Sequence, residues 1–231
     1  HDVYVKGVRV RELNISHGNP YFTSLRQINP YLISSVLQAE DPSFMRHNGF
    51  LGSAFRESII QNIRERRFAR GGSTITMQLV KNVFLSRDKN IARKVEEAMI
   101  VYLIENLNLV SKERMLEVYL NIIEWGPNVY GIGEASRFYY GKKPSELSLP
   151  ESIFLAGIIP KPRAFKYHVE KDGTLKPHFE RFFEVLSNRM ILKGIVTPDE
   201  TQKILEPLKF KGPALQHISP EETLPEEDDF Y

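Results

Sequence analysis

The stretch around which this chain is organised is rich in glycine and hydroxyl side chains and reads Arg70-Gly71-Gly72-Ser73-Thr74-Ile75-Thr76-Met77-Gln78-Leu79-Val80-Lys81-Asn82. Helical periodicity from about Ser73 places Thr74, Gln78 and Lys81 on one face and apolar side chains on the opposite face. The polar face would present a hydroxyl, an amide and an ammonium beside the unpaired N–H groups of a helix start, which suits an anionic ligand. Taken alone, however, the stretch is more simply explained as a glycine turn and a serine cap on an amphipathic helix.

Basic charge is concentrated around this stretch. Between Arg64 and Glu97 there are nine basic and four acidic residues, a local net charge of +5 in a chain whose formal net charge is +2. This concentration indicates an anionic partner, and by itself leaves open whether that partner is phosphate, nucleic acid or a lipid surface. Residues 219–231, by contrast, carry six carboxylates and no basic residue.

The composition is that of a globular protein, with 42% hydrophobic and 26% charged residues. A chain of 231 residues can bury a core as one large domain or as two lobes. The absence of cysteine excludes disulfides and thiolate metal sites. Ala98–Ile104, among the longest apolar runs, has seven residues, far short of the roughly eighteen of a membrane-spanning helix. A signal or membrane anchor is therefore expected to be missing from this chain.

Helical periodicity dominates from Asn29 onward, so we predict a mainly α-helical domain. A short β-hairpin around Lys6-Gly7 is predicted before it. The first helix should end before Pro42, and the later ones are predicted at 53–69, 71–85, 90–109, 111–123, 130–140, 149–159, 177–192 and from 197. The predicted organisation is an N-terminal extension of unknown role (1–27), one enzyme domain (28–210) and an acidic, flexible tail (211–231).

Two further stretches carry residues suited to chemistry. Glu40 is expected at a helix C-terminus, where the helix dipole and neighbouring apolar side chains should raise its pKa toward a range useful for proton transfer. In the 90–109 helix, Arg93 and Lys94 meet Glu97 on one face. The apolar run that follows Glu97 predicts that the helix enters the core there, and Ile91, Val95, Ala98, Tyr102 and Glu105 trace one stripe along it.

Two separated glutamates, a glycine–hydroxyl helix start and a basic cluster suit the breaking of a bond to a phosphate leaving group. A pyrophosphate already leaves well, so it needs cations to absorb charge rather than a proton donor. One carboxylate of raised pKa is then sufficient to deprotonate a hydroxyl nucleophile.

Four motifs occur in order along the chain: Glu40-Asp41-x-x-Phe44-x-x-His47-x-Gly49, Gly71-Gly72-Ser73-Thr74-Ile75-Thr76-x-Gln78-Leu79-x-Lys81-Asn82, Arg93-Lys94-x-x-Glu97-Ala98 and Lys112-x-x-x-Leu116-Glu117-x-Tyr119-Leu120-Asn121. Their order and spacing resemble the peptidoglycan glycosyltransferases, family fifty-one of the glycosyltransferases. This family includes the transglycosylase module of penicillin-binding proteins and its monofunctional relatives, and the segment 119–126 is more similar to the monofunctional form. Any one motif would be weak evidence, but four in order are specific.

The resemblance implies a lysozyme-like, two-lobed helical domain with a large lobe and a small, membrane-facing jaw. It implies an enzyme that polymerises lipid II at the outer face of the bacterial cell membrane, forming β-1,4 links with inversion and releasing undecaprenyl pyrophosphate. The implied partners are lipid II, the growing glycan chain, the membrane surface and other cell-wall synthesis proteins, but not nucleic acid. Moenomycin, an inhibitor of the family, is expected to bind.

The resemblance also assigns roles to residues. Glu40 would be the general base, and Glu97 the second essential glutamate, acting at the donor pyrophosphate or as the ligand of a divalent cation. That cation, Mg²⁺ or Mn²⁺, is the candidate cofactor, and no organic cofactor is expected. The residues implied in substrate binding are Asp41, Phe44, His47, Gly71, Ser73, Thr74, Gln78, Lys81, Asn82, Lys89, Arg93, Lys94, Tyr119, Asn121 and Arg137.

Two other functions are compatible with parts of this pattern. A lysozyme-like muramidase also uses two carboxylates, but it does not explain the basic cluster, because its glycan substrate lacks pyrophosphate. A catalytically silent scaffold in a wall-synthesis complex would not need both glutamates. Departures from the family pattern at Met77, Leu51 and Lys89 bear on affinity and substrate detail rather than on Glu40 or Glu97.

Overall fold

The structure is a computed structural model that describes residues 2–5, 8–12, 15, 18–49, 73–84 and 91–218. Two compact units make up the chain. The first consists of His1–Pro20 and Glu40–Ile123, and the second of Tyr21–Ala39 and Glu124–Tyr231. Helices dominate the described residues, and the strands form two short antiparallel pairs. The mainly α-helical class predicted from the sequence is therefore confirmed.

The first unit begins with the predicted β-hairpin and continues with helices. Strand β1 (Asp2–Val5) pairs antiparallel with β2 (Val8–Glu12), with Val5 opposite Val8, which confirms the strand pair. Glu40, the last residue of helix α1 (Pro30–Glu40), belongs to this unit. Its other helices are α2 (Ile75–Phe84), α3 (Ile91–Asn106) and α4 (Lys112–Ile122). The helix predicted at 53–69 lies outside the described residues.

Helix α4 begins where the sequence predicted. The Ser111 side chain accepts a hydrogen bond from the backbone N–H of Arg114. Glu113 places a carboxylate in the first turn, where it interacts favourably with the positive end of the helix dipole. Its buried side includes Met115, Leu116 and Leu120. Burial of these side chains anchors α4 in the core, and Tyr119 on the same helix is also fully buried.

Helix α3 buries a different face from the one predicted. Glu97, Val101 and Glu105, spaced four residues apart, are at most 5% exposed. Met99 (61% exposed), Tyr102 (57%) and Leu103 (45%) lie on the outside. The prediction that the apolar run Ala98–Ile104 enters the core is therefore wrong for these three side chains. Only part of the run, centred on Val101, packs against Met77 and Val80 of α2, with Ile100 and Ile104 beside them.

The second unit contains most of α1 (Pro30–Glu40), which ends before Pro42 as predicted. Its other elements are β3 (Glu124–Gly126), β4 (Val129–Tyr130), α5 (Ile132–Tyr140), α6 (Leu149–Ile158), α7 (Pro177–Leu192) and the 3-10 helices Leu25–Gln27, Pro144–Glu146, Pro162–His168, Asp199–Thr201 and Pro213–His217. The predicted helices at 130–140, 149–159 and 177–192 agree with α5, α6 and α7 to within two residues. The short helix predicted from 197 is the 3-10 turn at Asp199–Thr201.

Aromatic packing holds the second unit together. Tyr139 of α5 lies edge-on to Phe154 at 5.7 Å and to Phe165 at 5.0 Å between ring centres. Its hydroxyl donates to the backbone oxygen of Trp125 at 2.7 Å, so the buried polar tip is satisfied. Phe210 joins the same cluster, stacked on Tyr140 at 5.5 Å.

The segment predicted as a flexible tail is partly helical. Pro213–His217 form a 3-10 helix in which Ala214 is fully buried. The His217 ring lies 5.6 Å from that of Phe138 and 6.1 Å from that of Phe165, so aromatic contacts order this turn. The acidic residues 219–231 lie outside the described residues.

Candidate active site

Glu40 stands at the C-terminal end of α1, where the sequence placed it. Its Oε2 accepts a hydrogen bond from Nε2 of Gln78 at 2.8 Å. Burial of the side chain raises the pKa of Glu40 above its ordinary 4.5, the Gln78 N–H partly offsets this, and the negative charge of Asp41 adds to the rise in pKa. The predicted direction is therefore confirmed, with burial as the main cause. A carboxylate in this state is suited to accept a proton.

Asp41, next to Glu40, is buried and links the first motif to helix α2. Its two carboxylate oxygens lie 2.9 and 2.8 Å from Nε2 of His47, and Oδ2 also accepts from the backbone N–H of Ile75 at 3.1 Å. Nδ1 of His47 accepts from the N–H of Gly49 at 3.0 Å, so Nε2 carries the proton donated to Asp41. The turn from Asp41 to Gly49 is thereby fixed to the start of α2.

Thr74 is the N-cap of α2 rather than an exposed hydroxyl. Its side chain is 1% exposed, donates to the backbone oxygen of Gly49 at 2.8 Å and accepts from the N–H of Met77 at 3.2 Å. The helix begins at Ile75, two residues after the start near Ser73 that periodicity predicted. Two of its N-terminal N–H groups, those of Ile75 and Met77, are thus satisfied from within the protein. The predicted polar face is wrong for Thr74, whereas Gln78 is partly buried and Lys81 is exposed.

Gln78 is bound at both ends of its amide. Its N–H group donates to Glu40, and its Oε1 accepts from the hydroxyl of Tyr119 on α4 at 2.9 Å. Burial raises the pKa of Tyr119 well above 10, and repulsion from Glu40 and Asp41 adds to this, so the hydroxyl keeps its proton. The structure therefore brings five of the predicted site residues into two hydrogen-bonded groups, with Glu40, Gln78 and Tyr119 in one and Asp41 and His47 in the other.

The other predicted site residues are placed as follows. Glu97 on α3 and Phe44 in the first motif are buried, whereas Ser73, Lys81 and Asn82 at α2 are exposed. The side-chain amide of Asn121 donates to the backbone oxygen of Glu117 at 2.8 Å. Arg137 lies in the second unit, with its guanidinium 5.1 Å from the centre of the Tyr21 ring. Gly71, Lys89 and the side chains of Arg93 and Lys94 lie outside the described residues. Of the cations predicted to offset the pyrophosphate charge, Lys81 is thus described, as are Glu97 and the predicted phosphate- and sugar-binding residues Ser73, Thr74 and Gln78.

The donor set for a divalent cation is not assembled in the described part of the chain. No group of three or more His, Asp or Glu side chains lies close enough there to hold a metal ion. The role of Glu97 as a metal ligand therefore stays a prediction from the resemblance.

Glu105 is a buried charge that the sequence analysis did not single out as functional. It accepts from the hydroxyl of Thr76 at 2.5 Å and from Nζ of Lys112 at 2.6 Å, and that ammonium lies 4.4 Å above the Phe44 ring. Helices α2, α3 and α4 and the first motif therefore meet at one carboxylate. The spacing of Glu97 and Glu105, eight residues apart on one helix face, could have predicted that the two side chains share an environment.

Comparison with known proteins identifies the family of this chain. A family model described as Transglycosylase matches residues 6–188, a range that begins within the segment predicted as an N-terminal extension. The chain belongs to the transglycosylase family. Relatives named biosynthetic peptidoglycan transglycosylase occur in Nitrosomonas eutropha (43% identical over 65% of this chain and 61% of the relative), Nitrosospira multiformis (43%, over 60% of each) and Dechloromonas aromatica (42%, over 64% and 63%). The match spans about three fifths of the length of each of these transglycosylases.

Replacing Gly49 with alanine is expected to destabilise the first motif of this chain. Gly49 has φ +81°, and an added Cβ would lie 2.6 Å from Cγ1 of Val101 and 2.8 Å from Cγ of Glu105. The left-handed backbone and the overlap together should cost about 2–4 kcal/mol in urea unfolding. Gly194→Ala is the control, since φ is +66° with nothing within 4 Å of the added Cβ, and should cost only about 1–2 kcal/mol. Equal losses in the two variants would contradict the packing at Gly49.

Glu40→Gln is expected to be more stable than the wild type near neutral pH. Because the folded state raises the pKa of Glu40, it holds the proton more tightly than the unfolded state, and the wild type loses stability as pH rises from the ordinary 4.5 through the raised value. The variant lacks this titration. Calorimetry should give a melting temperature a few degrees higher for the variant at pH 7, with the difference shrinking below pH 4.5. A difference independent of pH would refute the raised pKa.

Proposed function

We propose that this chain polymerises lipid II into the glycan strands of peptidoglycan. The relatives' names support a biosynthetic role, and the observation that carries the proposal is the state of Glu40. It is a carboxylate of raised pKa that accepts a hydrogen bond from the Gln78 amide. It also lies beside the turn from Asp41 to Gly49, which hydrogen bonds join to the start of α2. This is what a general base needs in order to deprotonate a sugar hydroxyl at neutral pH.

In the proposed reaction, Glu40 takes the proton of the 4-hydroxyl of the acceptor N-acetylglucosamine. The oxygen attacks the anomeric carbon of the lipid-linked growing chain from the face opposite the pyrophosphate. The bond to that oxygen forms as the bond to the pyrophosphate breaks, giving a β-1,4 link with inversion and undecaprenyl pyrophosphate. Lys81, Arg93 and Lys94 would offset the charge that develops on the leaving group.

Glu97 is proposed as the second essential glutamate of this reaction. It is 4% exposed, on the same buried face of α3 as Val101 and Glu105. A divalent cation, Mg²⁺ or Mn²⁺, would supply further charge neutralisation at the pyrophosphate when bound. Glu97 would be its protein ligand.

The outer face of α3 supports contact with the membrane surface. Met99, Tyr102 and Leu103 face outward, and the turn after the helix continues this exposed apolar surface with Leu107, Leu109 and Val110. A helix that buries two glutamates and exposes these apolar side chains is suited to contact with a lipid surface. The described residues contain no helix long and apolar enough to cross a bilayer. We therefore propose that the first unit lies against the outer face of the bacterial cell membrane, where the lipid-linked substrate is anchored.

The main alternative is a muramidase that cleaves finished glycan. Incubation with lipid II and, separately, with purified sacculi distinguishes the two functions. Glycan polymer from lipid II, blocked by moenomycin, supports the proposal. Release of soluble fragments from sacculi without consumption of lipid II would establish the muramidase instead, and inactivity in both assays would favour the scaffold.

Glu40→Gln should lower the rate of lipid II polymerisation by about 10²–10⁴-fold, the usual contribution of a general base. The wild-type rate should rise with pH through an apparent pKa above 4.5, because the base works only when it is ionised. Both effects are measured with labelled lipid II at saturating concentration over a range of pH. Wild-type turnover in the variant would remove Glu40 as the base.

Replacing Tyr102 and Leu103 together with glutamine should weaken membrane binding. Loss of two apolar side chains from the contact surface should lower partitioning onto phosphatidylglycerol-containing vesicles by about tenfold or more. The control carries glutamine at Val185 and Leu192, two exposed apolar residues of α7 in the second unit, and should bind as the wild type. Vesicle sedimentation measures the effect, and equal binding by the two variants would exclude α3 as the contact surface.

A further inference from the structure

Three side chains from three helices form an unbroken hydrogen-bonded chain that ends at Glu40. The Tyr119 hydroxyl from α4 lies 2.9 Å from Oε1 of Gln78 on α2, and Nε2 of Gln78 lies 2.8 Å from Oε2 of Glu40 at the end of α1. Tyr119 is fully buried and Gln78 partly so. Such a chain fixes the direction of every hydrogen bond in it.

We propose that Tyr119 is a positioning residue that locks the amide of Gln78 with its N–H group toward Glu40, and so keeps the base ionised and correctly oriented. The kinetic part of this inference rests on the proposed role of Glu40 as general base. Tyr119 then acts through Gln78, and neither residue needs to contact substrate to affect the reaction.

The direction of the bonds follows from the chemistry of the end groups. An ionised carboxylate only accepts hydrogen bonds, so the amide must turn its N–H toward Glu40 and its oxygen toward Tyr119. The tyrosine hydroxyl can donate or accept, but opposite an amide oxygen it donates. A protonated Tyr119 therefore holds the orientation of Gln78 that favours the ionised form of Glu40.

Without the Tyr119 hydroxyl, the amide is free to reverse. In the reversed orientation, Oε1 of Gln78 faces Glu40, repels the carboxylate and accepts from the protonated acid, so the protonated form of Glu40 gains stability. One other described group, Asp41, acts on this balance. Asp41, beside Glu40 and packed against the start of α2, raises the pKa of Glu40, and the same carboxylate acts on Tyr119 of α4.

The test compares Tyr119→Phe with a matched control. Tyr140→Phe removes the hydroxyl of an equally buried tyrosine in the second unit, whose oxygen has no hydrogen-bond partner within the described residues. The titration of Glu40 is followed by carboxyl ¹³C NMR in the full 231-residue chain, and polymerisation of lipid II is measured over the same range of pH. Circular dichroism verifies folding of each variant.

Tyr119→Phe should move the titration of Glu40 and the acid limb of the pH–rate profile together toward higher pH. On that limb the rate should fall by about three- to tenfold, the effect of one hydrogen bond, and recover as pH rises. Tyr140→Phe should leave both curves in place. An unshifted Glu40 titration in folded Tyr119→Phe would overturn the proposal.

A second pair of variants tests whether Tyr119 acts through Gln78, and its first member leaves the Tyr119 side chain intact. Gln78→Leu removes the donor to Glu40 and should itself shift the titration upward. Adding Tyr119→Phe to Gln78→Leu should then produce no further shift, because the hydroxyl acts only through the amide. Additive shifts would overturn the lock. A shifted Glu40 titration with an unmoved rate profile would support the lock and instead reject Glu40 as the base.

Discussion

The carboxylate of Asp41 is the interaction on which the candidate active site depends. A buried charge is tolerated only when it is hydrogen-bonded. The carboxylate of Asp41 accepts hydrogen bonds from His47 and from the first N–H group of α2. The positive end of the α2 dipole lies at the same point, which further favours the anion. Removing this carboxylate would break the hydrogen bond from Ile75 to the turn and leave the one from Thr74 to Gly49. Glu40 comes one residue before Asp41, and Gln78 comes three residues after Ile75. The hydrogen bond between Asp41 and Ile75 therefore brings Glu40 and Gln78 close together.

A second buried carboxylate, Glu105, extends the same logic to α3 and α4. It accepts from Thr76 and from Lys112, which lies over the Phe44 ring, so the polar interior joins three helices and the first motif. Apolar packing alone would hold helices at several similar angles, whereas hydrogen bonds to one buried group allow far fewer. The cost is that α3 turns much of its apolar surface outward. The proposed contact with the membrane surface would cover these side chains.

Much of this could be predicted from the sequence, and the failures have identifiable causes. Helix bounds and the Ser111 cap followed from periodicity and capping residues, and the pKa direction of Glu40 followed from its place at a helix end. The error at Thr74 arose because periodicity cannot distinguish an N-cap from the first residue of a helix face. The error on α3 arose because the apolar side of a helix was assumed to face the core. The partner of Gln78 could not be found, since Tyr119 lies 41 residues away along the chain.

The choice of a neutral amide beside Glu40 is itself informative. A lysine or arginine at the same 2.8 Å would hold the carboxylate firmly, but an opposite charge at that distance lowers the pKa of a carboxyl by about 1–3 units and makes it a poor base. With no donor at all, burial and Asp41 would act unopposed and favour the protonated acid at the pH where it must accept a proton. An amide donor orients the carboxylate while leaving most of the effect of burial in place. A general base must be ionised and must also have a raised proton affinity. The Gln78 amide allows both, but only while its N–H group stays directed at the carboxylate of Glu40.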